Sequence, residues 1–179
     1  YPQEDEFSRT VFSIGNNTSM IIFINGSINS GKSTVSKLLA EKLPNTALIE
    51  VDRFHECIEW MPIDQAVPLN LENAISVIRN FVNRGLNVIV SYPLSQKNYN
   101  MLMGNLEPLR QKVFVFTLSP LLEVTLSNRG GRELTEEEKK RIQYHYSIGI
   151  NKPDFGVIID NSHQTPTKTV ESILDALDL

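Results

Sequence analysis

The chain has 179 residues, 41% hydrophobic and 21% charged, with 17 Lys and Arg against 21 Asp and Glu for a formal net charge of −4 at pH 7. That length supports one domain with a sizeable core, and the composition is that of a globular chain. The acidic balance argues against a nucleic-acid-binding face, and no apolar run reaches membrane-spanning length. A lone cysteine, Cys57, excludes an internal disulfide and fits a reducing cytosol, so a cytoplasmic protein is expected.

Residues 1–19, YPQEDEFSRTVFSIGNNTS, lack a basic stretch followed by an apolar one and do not read as a signal peptide. Met20 sits where a natural start would fit, so 1–19 is expected to be an extension or a cloning remnant, with one domain over 20–179. Residues 20–25 are continuously apolar, the pattern of a strand buried on both faces. Residues 32–43 have Val35, Leu38, Leu39 and Leu43 at helical spacing, and Pro44 stops them. A second short strand is predicted over 47–51, closing on Asp52, and a turn or two of helix over 53–60. Residues 71–84 form a periodic helix with Gly85 as its stop.

A third strand follows over 86–91, then a helix over Gln96–Leu106 and a fourth strand over Lys112–Leu118. Ser119 and Pro120 are expected to cap and open a helix reaching about 128. Thr135 and Glu138 have capping-box spacing ahead of another helix. A fifth strand is predicted over 155–160 and a closing helix over 167–177. Strands alternating with helices imply right-handed crossovers and a parallel sheet covered on both faces.

One stretch carries chemistry. GSINSGKS, residues 26–33, fits G-x-x-x-x-G-K-[ST] between a buried strand and an amphipathic helix. Gly26 lets the chain turn off the strand, and Gly31 lets backbone approach an oxygen cluster without a Cβ in the way. The N–H groups of Gly26, Ser27, Ile28, Asn29, Ser30 and Gly31, with the helix N-terminus, are then aimed at phosphates. Lys32 reaches the β- and γ-phosphates, Ser33 offers a hydroxyl to Mg²⁺, and Thr34 stands near the α-phosphate. A nucleotide with Mg²⁺ is therefore the expected ligand, with ATP the default over GTP.

A phosphate loop says nucleotide, not reaction, and other residues must choose. Asp52, at the carboxyl end of the second strand, is expected to face the same cleft as Lys32. There it can take a proton from an acceptor hydroxyl, position that hydroxyl, or help hold Mg²⁺; it can equally cap the segment after it. Arg129 and Arg132, spaced around a Gly-Gly pair in NRGGR, suit a small lid whose guanidinium groups neutralise the transferring phosphoryl and exclude water. Arg141 is a weaker candidate of the same kind. Ser91 ends the third strand where many phosphate-loop proteins carry a metal-associated aspartate. His55 reads as a substrate contact or a structural histidine, and Phe54, Trp60 and Met61 as walls of an acceptor pocket or as packing. His145 and His163 have no ligand-spaced partners.

With INGSINSGKS, VDRFHECIEWMP, NRGGR and FGVIIDNSHQTP in these positions, the chain from Met20 onward resembles small P-loop kinases of the shikimate and gluconate kinase type, and especially chloramphenicol phosphotransferase-like proteins. The resemblance implies a three-layer P-loop fold, a five-stranded parallel sheet ordered 2-3-1-4-5, and a small lid. It implies Asp52 as base for the acceptor hydroxyl, Arg129 and Arg132 as lid arginines, and an approach of residues 160–166 to the nucleotide base. The expected activity is ATP- and Mg²⁺-dependent phosphoryl transfer to a hydroxyl of a small molecule, an antibiotic or a metabolite of the shikimate or gluconate kind. The alternatives are an ATPase with no small-molecule acceptor and a kinase acting on a macromolecule.

Overall fold

The structure is a computed structural model and describes residues 19–127 and 133–179. Among these, strands β1 (Met20–Gly26), β2 (Thr46–Glu50), β3 (Asn87–Ser91), β4 (Lys112–Leu118) and β5 (Val157–Ile159) form one parallel sheet. Its order, β2-β3-β1-β4-β5, is the expected one. The helices are α1 (Lys32–Lys42), α2 (Ile63–Val82), α3 (Gln96–Leu106), α4 (Leu122–Thr125), α5 (Glu136–Ser147) and α6 (Pro166–Ala176). The predicted extension lies outside the described residues except for Ser19.

The two-residue period of β1 divides the core. Ile21 and Phe23 pack with Ala74, Ile75 and Ile78 of α2 and Leu102 and Leu106 of α3. Ile22 and Ile24 turn the other way, onto Val35 and Leu39 of α1 and Val170 and Ile173 of α6. Successive side chains of a strand leave opposite faces, so a continuous apolar run is what a central strand between two helical layers requires. Each such fully buried side chain contributes about 1.5–3 kcal/mol.

Four elements depart from the sequence reading, one of them the fifth strand, which keeps only Val157–Ile159 of the expected 155–160. The second strand stops at Glu50, not residue 51, because its partner β3 ends at Ser91, opposite Glu50, leaving Val51 nothing to pair with. Val51–Ile58 turns into a 3-10 helix, with Asp52 in its first turn. Helix α2 begins at Ile63, well before the predicted residue 71, with Pro68 inside it. Pro68 has no N–H for the carbonyl of Asp64, but Asp64 lies in the exposed first turn, where water can serve that carbonyl. Ser119 and Pro120 open no helix. The Ser119 N–H instead donates to Ile159 O at 2.9 Å, prolonging the sheet, and α4 starts at Leu122. The Thr135–Glu138 capping box is present in both directions.

The strand ends are gathered by Asn25, which has no solvent exposure. Its Oδ1 accepts from Gly26 N and Leu94 N, both at 2.7 Å. Its Nδ2 donates to Thr117 Oγ1 at 2.9 Å and to Ile150 O at 3.1 Å. One amide thus joins the end of β1, β4, the segment after β3 and the turn after α5. Asn25→Ala strands these partners without water and is expected to lower unfolding free energy by about 2–4 kcal/mol, read from chemical denaturation.

Candidate active site

At the carboxyl end of β1 the chain turns through Gly26 at φ 146°, where a Cβ would stand 2.6 Å from Ser30 Oγ and 2.7 Å from Leu118 O. No other residue fits that turn. Gly31 closes the loop at φ 99° and serves as the N-cap of α1. Helices α3, α5 and α6 are capped by the side chains of Ser95, Thr135 and Thr165, whereas α1 has no side-chain cap and no acid in its first turn. Its free N–H groups are left for an anion.

The loop is braced from both sides. Asn29, in the left-handed region at φ 60°, donates through Nδ2 to Thr125 O at 2.8 Å and Ser127 O at 3.0 Å. Asn161, in the turn after β5, donates to Ser30 O at 2.9 Å. That turn lies within the segment the resemblance brought toward the nucleotide.

Lys32 Nζ donates to Ser27 O at 2.8 Å. Burial lowers its pKa to about 8, against the raising effect of the Asp52 and Glu50 charges. Asp52 is therefore close enough to Lys32 for its charge to act on the amine. Its carboxylate is open to solvent on one side yet surrounded enough that desolvation raises its pKa, while Lys32, Arg141 and His55 pull it down and Glu50 pushes it up. Tyr92, just past β3, is raised to about 12 by burial and by Asp52, with Arg141 opposing. Arg141, exposed on α5, stands close enough for its charge to act on both Asp52 and Tyr92. The loop, Lys32, Asp52, Tyr92 and Arg141 assemble where the strands end, as an open parallel sheet favours.

The sequence reading missed Glu50. Its carboxylate takes a 2.6 Å hydrogen bond from Arg53 Nε. Burial would raise its pKa, but hydrogen bonds from Arg53 and Ser33 and the charges of Arg53 and Lys37 hold it below its ordinary value. Glu50 therefore lies beside Ser33, two residues before Asp52. Its position as the last residue of a strand in LIEVDRF was the available signal. The exposed Ser33 hydroxyl with the carboxylates of Glu50, beside it, and Asp52, near Lys32, is a sparse oxygen set that would suit Mg²⁺, which keeps waters and takes phosphate oxygens. Among the described residues no cluster of three or more His, Cys, Asp or Glu offers a dedicated metal cage.

His145 was also missed. It is 5% exposed, and its Nδ1 meets Ser27 Oγ at 3.1 Å. Burial, with Lys32 and Arg141, lowers its pKa to about 4, so it is neutral near pH 7. Arg129 and Arg132 lie outside the described residues. His55 follows Asp52 by three residues, one 3-10 turn, and its Nδ1 is buried without a hydrogen-bond partner among the described residues. Phe54 packs onto the core, whereas Trp60 is 79% exposed. A cavity of about 520 Å³ bordered by Tyr99, Met103, Leu106, Gln111 and Val113 opens near the start of β4, with no residue of the phosphate loop in its wall.

The sheet order and the loop make this a P-loop kinase fold, and solved structures agree. The tunicamycin resistance protein of Deinococcus radiodurans is 22% identical, with 90% of this chain and 96% of that one covered at a TM-score of 0.66. A sugar kinase from Janibacter sp. is also 22% identical, covering 90% and 95% at 0.68. The APS kinase of Mycobacterium tuberculosis, in complex with AMPPNP and APS, is 14% identical, covering 90% and 99% at 0.66. No curated protein sequence matches the chain. Residues 19–178 match the family described as chloramphenicol phosphotransferase-like protein. The chain belongs to that family and is a phosphotransferase.

The low pKa of Lys32 has a measurable consequence. Polyphosphate favours the charged amine, so binding raises that pKa and draws in a proton wherever the free amine is partly neutral. Affinity for a nucleoside polyphosphate should be full below pH 8 and fall as pH rises through 8 toward the higher pKa of the complex. Calorimetry at pH 8.5 in buffers of different ionisation heat should register net proton uptake by the protein; none would contradict the assignment.

Proposed function

We propose that this protein transfers the γ-phosphoryl group of ATP, bound with Mg²⁺, to a hydroxyl of a small molecule. Antibiotic-type acceptors are the first class to test, and sugar acids and shikimate-like rings the second. What supports this reading is the closeness of Asp52 to Lys32, near enough for each charge to act on the other at the ends of the strands, together with the desolvation that raises the Asp52 pKa.

In this reading the phosphate loop and Lys32 hold the donor in line, and Ser33 with Glu50 or Asp52 holds Mg²⁺, whose charge offsets that of the β- and γ-phosphates. Asp52 orients the acceptor hydroxyl and takes its proton as the acceptor oxygen bonds to the γ-phosphorus. The bond to the bridging oxygen breaks and ADP leaves. Arg129 and Arg132 are proposed to neutralise charge on the moving phosphoryl, with Arg141 beside Asp52 assisting. Phosphoryl transfer asks chiefly for positioning and charge stabilisation, which this set supplies. The exposed Trp60, after the 3-10 helix that carries Asp52, is an available apolar surface for an acceptor ring.

Asp52→Asn should lower kcat on an identified acceptor by about 10²- to 10⁴-fold. Lys32→Ala should lose about 10²- to 10³-fold in kcat. Steady-state kinetics decide, and full transfer activity in both variants would remove the assignment.

A further inference from the structure

The neutral, buried His145 has no role in the reaction as written. An apolar residue would cost less to bury, so the imidazole calls for a reason. Its partner, Ser27, is the second residue of the phosphate loop and has no solvent exposure. Ser27 is held from two directions: its hydroxyl meets His145 Nδ1 at 3.1 Å, and its carbonyl accepts Lys32 Nζ at 2.8 Å. The backbone of His145 is fixed as well, since Ile150 N donates to His145 O at 3.0 Å and Ile150 O accepts from Asn25. The end of α5 is thus pinned to the base of the phosphate loop at two points. Arg141 precedes His145 by four residues and so stands on the same helix face.

We propose that His145 is a positioning residue: through Ser27 it sets the phosphate loop and the carbonyl on which Lys32 rests. The proposal rests on the reading of the loop as a nucleotide site. Because His145 acts through Ser27, removing either member should cost the same interaction, and removing both should cost little more than removing one.

The test is calorimetric binding of Mg·ATP to the full chain, with melting temperatures recorded alongside, for wild type, Ser27→Ala, His145→Phe, the double variant and His145→Asn. The asparagine amide can meet the Ser27 hydroxyl from the place of Nδ1. Each of the first two single variants should bind about 3- to 30-fold more weakly, and the double variant no more weakly than the worse single. His145→Asn should recover to within about threefold of wild type. Effects that multiply in the double variant, or unchanged affinity in His145→Phe whatever its melting temperature, would overturn the proposal. If Ser27→Ala does not fold, His145→Phe and His145→Asn decide alone: recovery in Asn supports the proposal, and equal affinities overturn it. A wild-type chain that binds no Mg·ATP would overturn the nucleotide reading and this proposal with it, whereas uncoupled variants of a binding-competent wild type overturn the pair alone.

Discussion

The carboxamide of Asn25 has no contact with water, and each of its four hydrogen-bonding positions is taken by a different part of the chain. The two backbone N–H partners fix its orientation, because a flipped amide would set donor against donor. The central strand reaches its end already tied to β4, to the segment beyond β3 and to the turn beyond α5. Only then does the backbone swing through Gly26 into the phosphate loop. The loop therefore springs from a base that is rigid in three directions, a condition for holding N–H groups in place for an anion before it arrives.

Around that base, burial does much of the chemical tuning. One cleft holds an amine lowered by desolvation, a carboxyl raised by it and an imidazole kept neutral by it. Lys32 and Asp52 pull against these shifts by attracting one another, so neither is displaced to the full extent its burial would give. In the proposed reading, a polyphosphate entering this site would restore the charge on Lys32, and an acceptor hydroxyl would find in Asp52 a carboxylate whose proton affinity is raised above the ordinary. Neither effect needs a moving part among the described residues.

Much of this was legible in the sequence, for physical reasons. The phosphate loop is local: its glycines, lysine and serine answer to their neighbours in the chain, and the apolar run before it could only be a central strand. The placement of Asp52 followed from the rule that parallel strands end at one edge, although the residue sits in a 3-10 turn and not on the strand. The capping box at Thr135 and Glu138 was equally local. What stayed hidden depends on distant partners. Asn25 bonds to Ile150, His145 to Ser27 and Asn161 to Ser30, each pair more than a hundred residues apart. The early start of α2 was masked by Pro68, which reads as a helix breaker until the exposed first turn is seen to leave its missing bond to water.

Whether the donor site serves an acceptor or only water is decided by following the γ-phosphoryl group. The protein would be incubated with γ-labelled ATP, Mg²⁺ and a panel of hydroxyl-bearing antibiotics, sugar acids and shikimate-like rings. The account predicts label on a small-molecule hydroxyl, ADP in equal amount, and little free phosphate when acceptor is absent. Release of the label as inorganic phosphate at the same rate with and without every acceptor would contradict it.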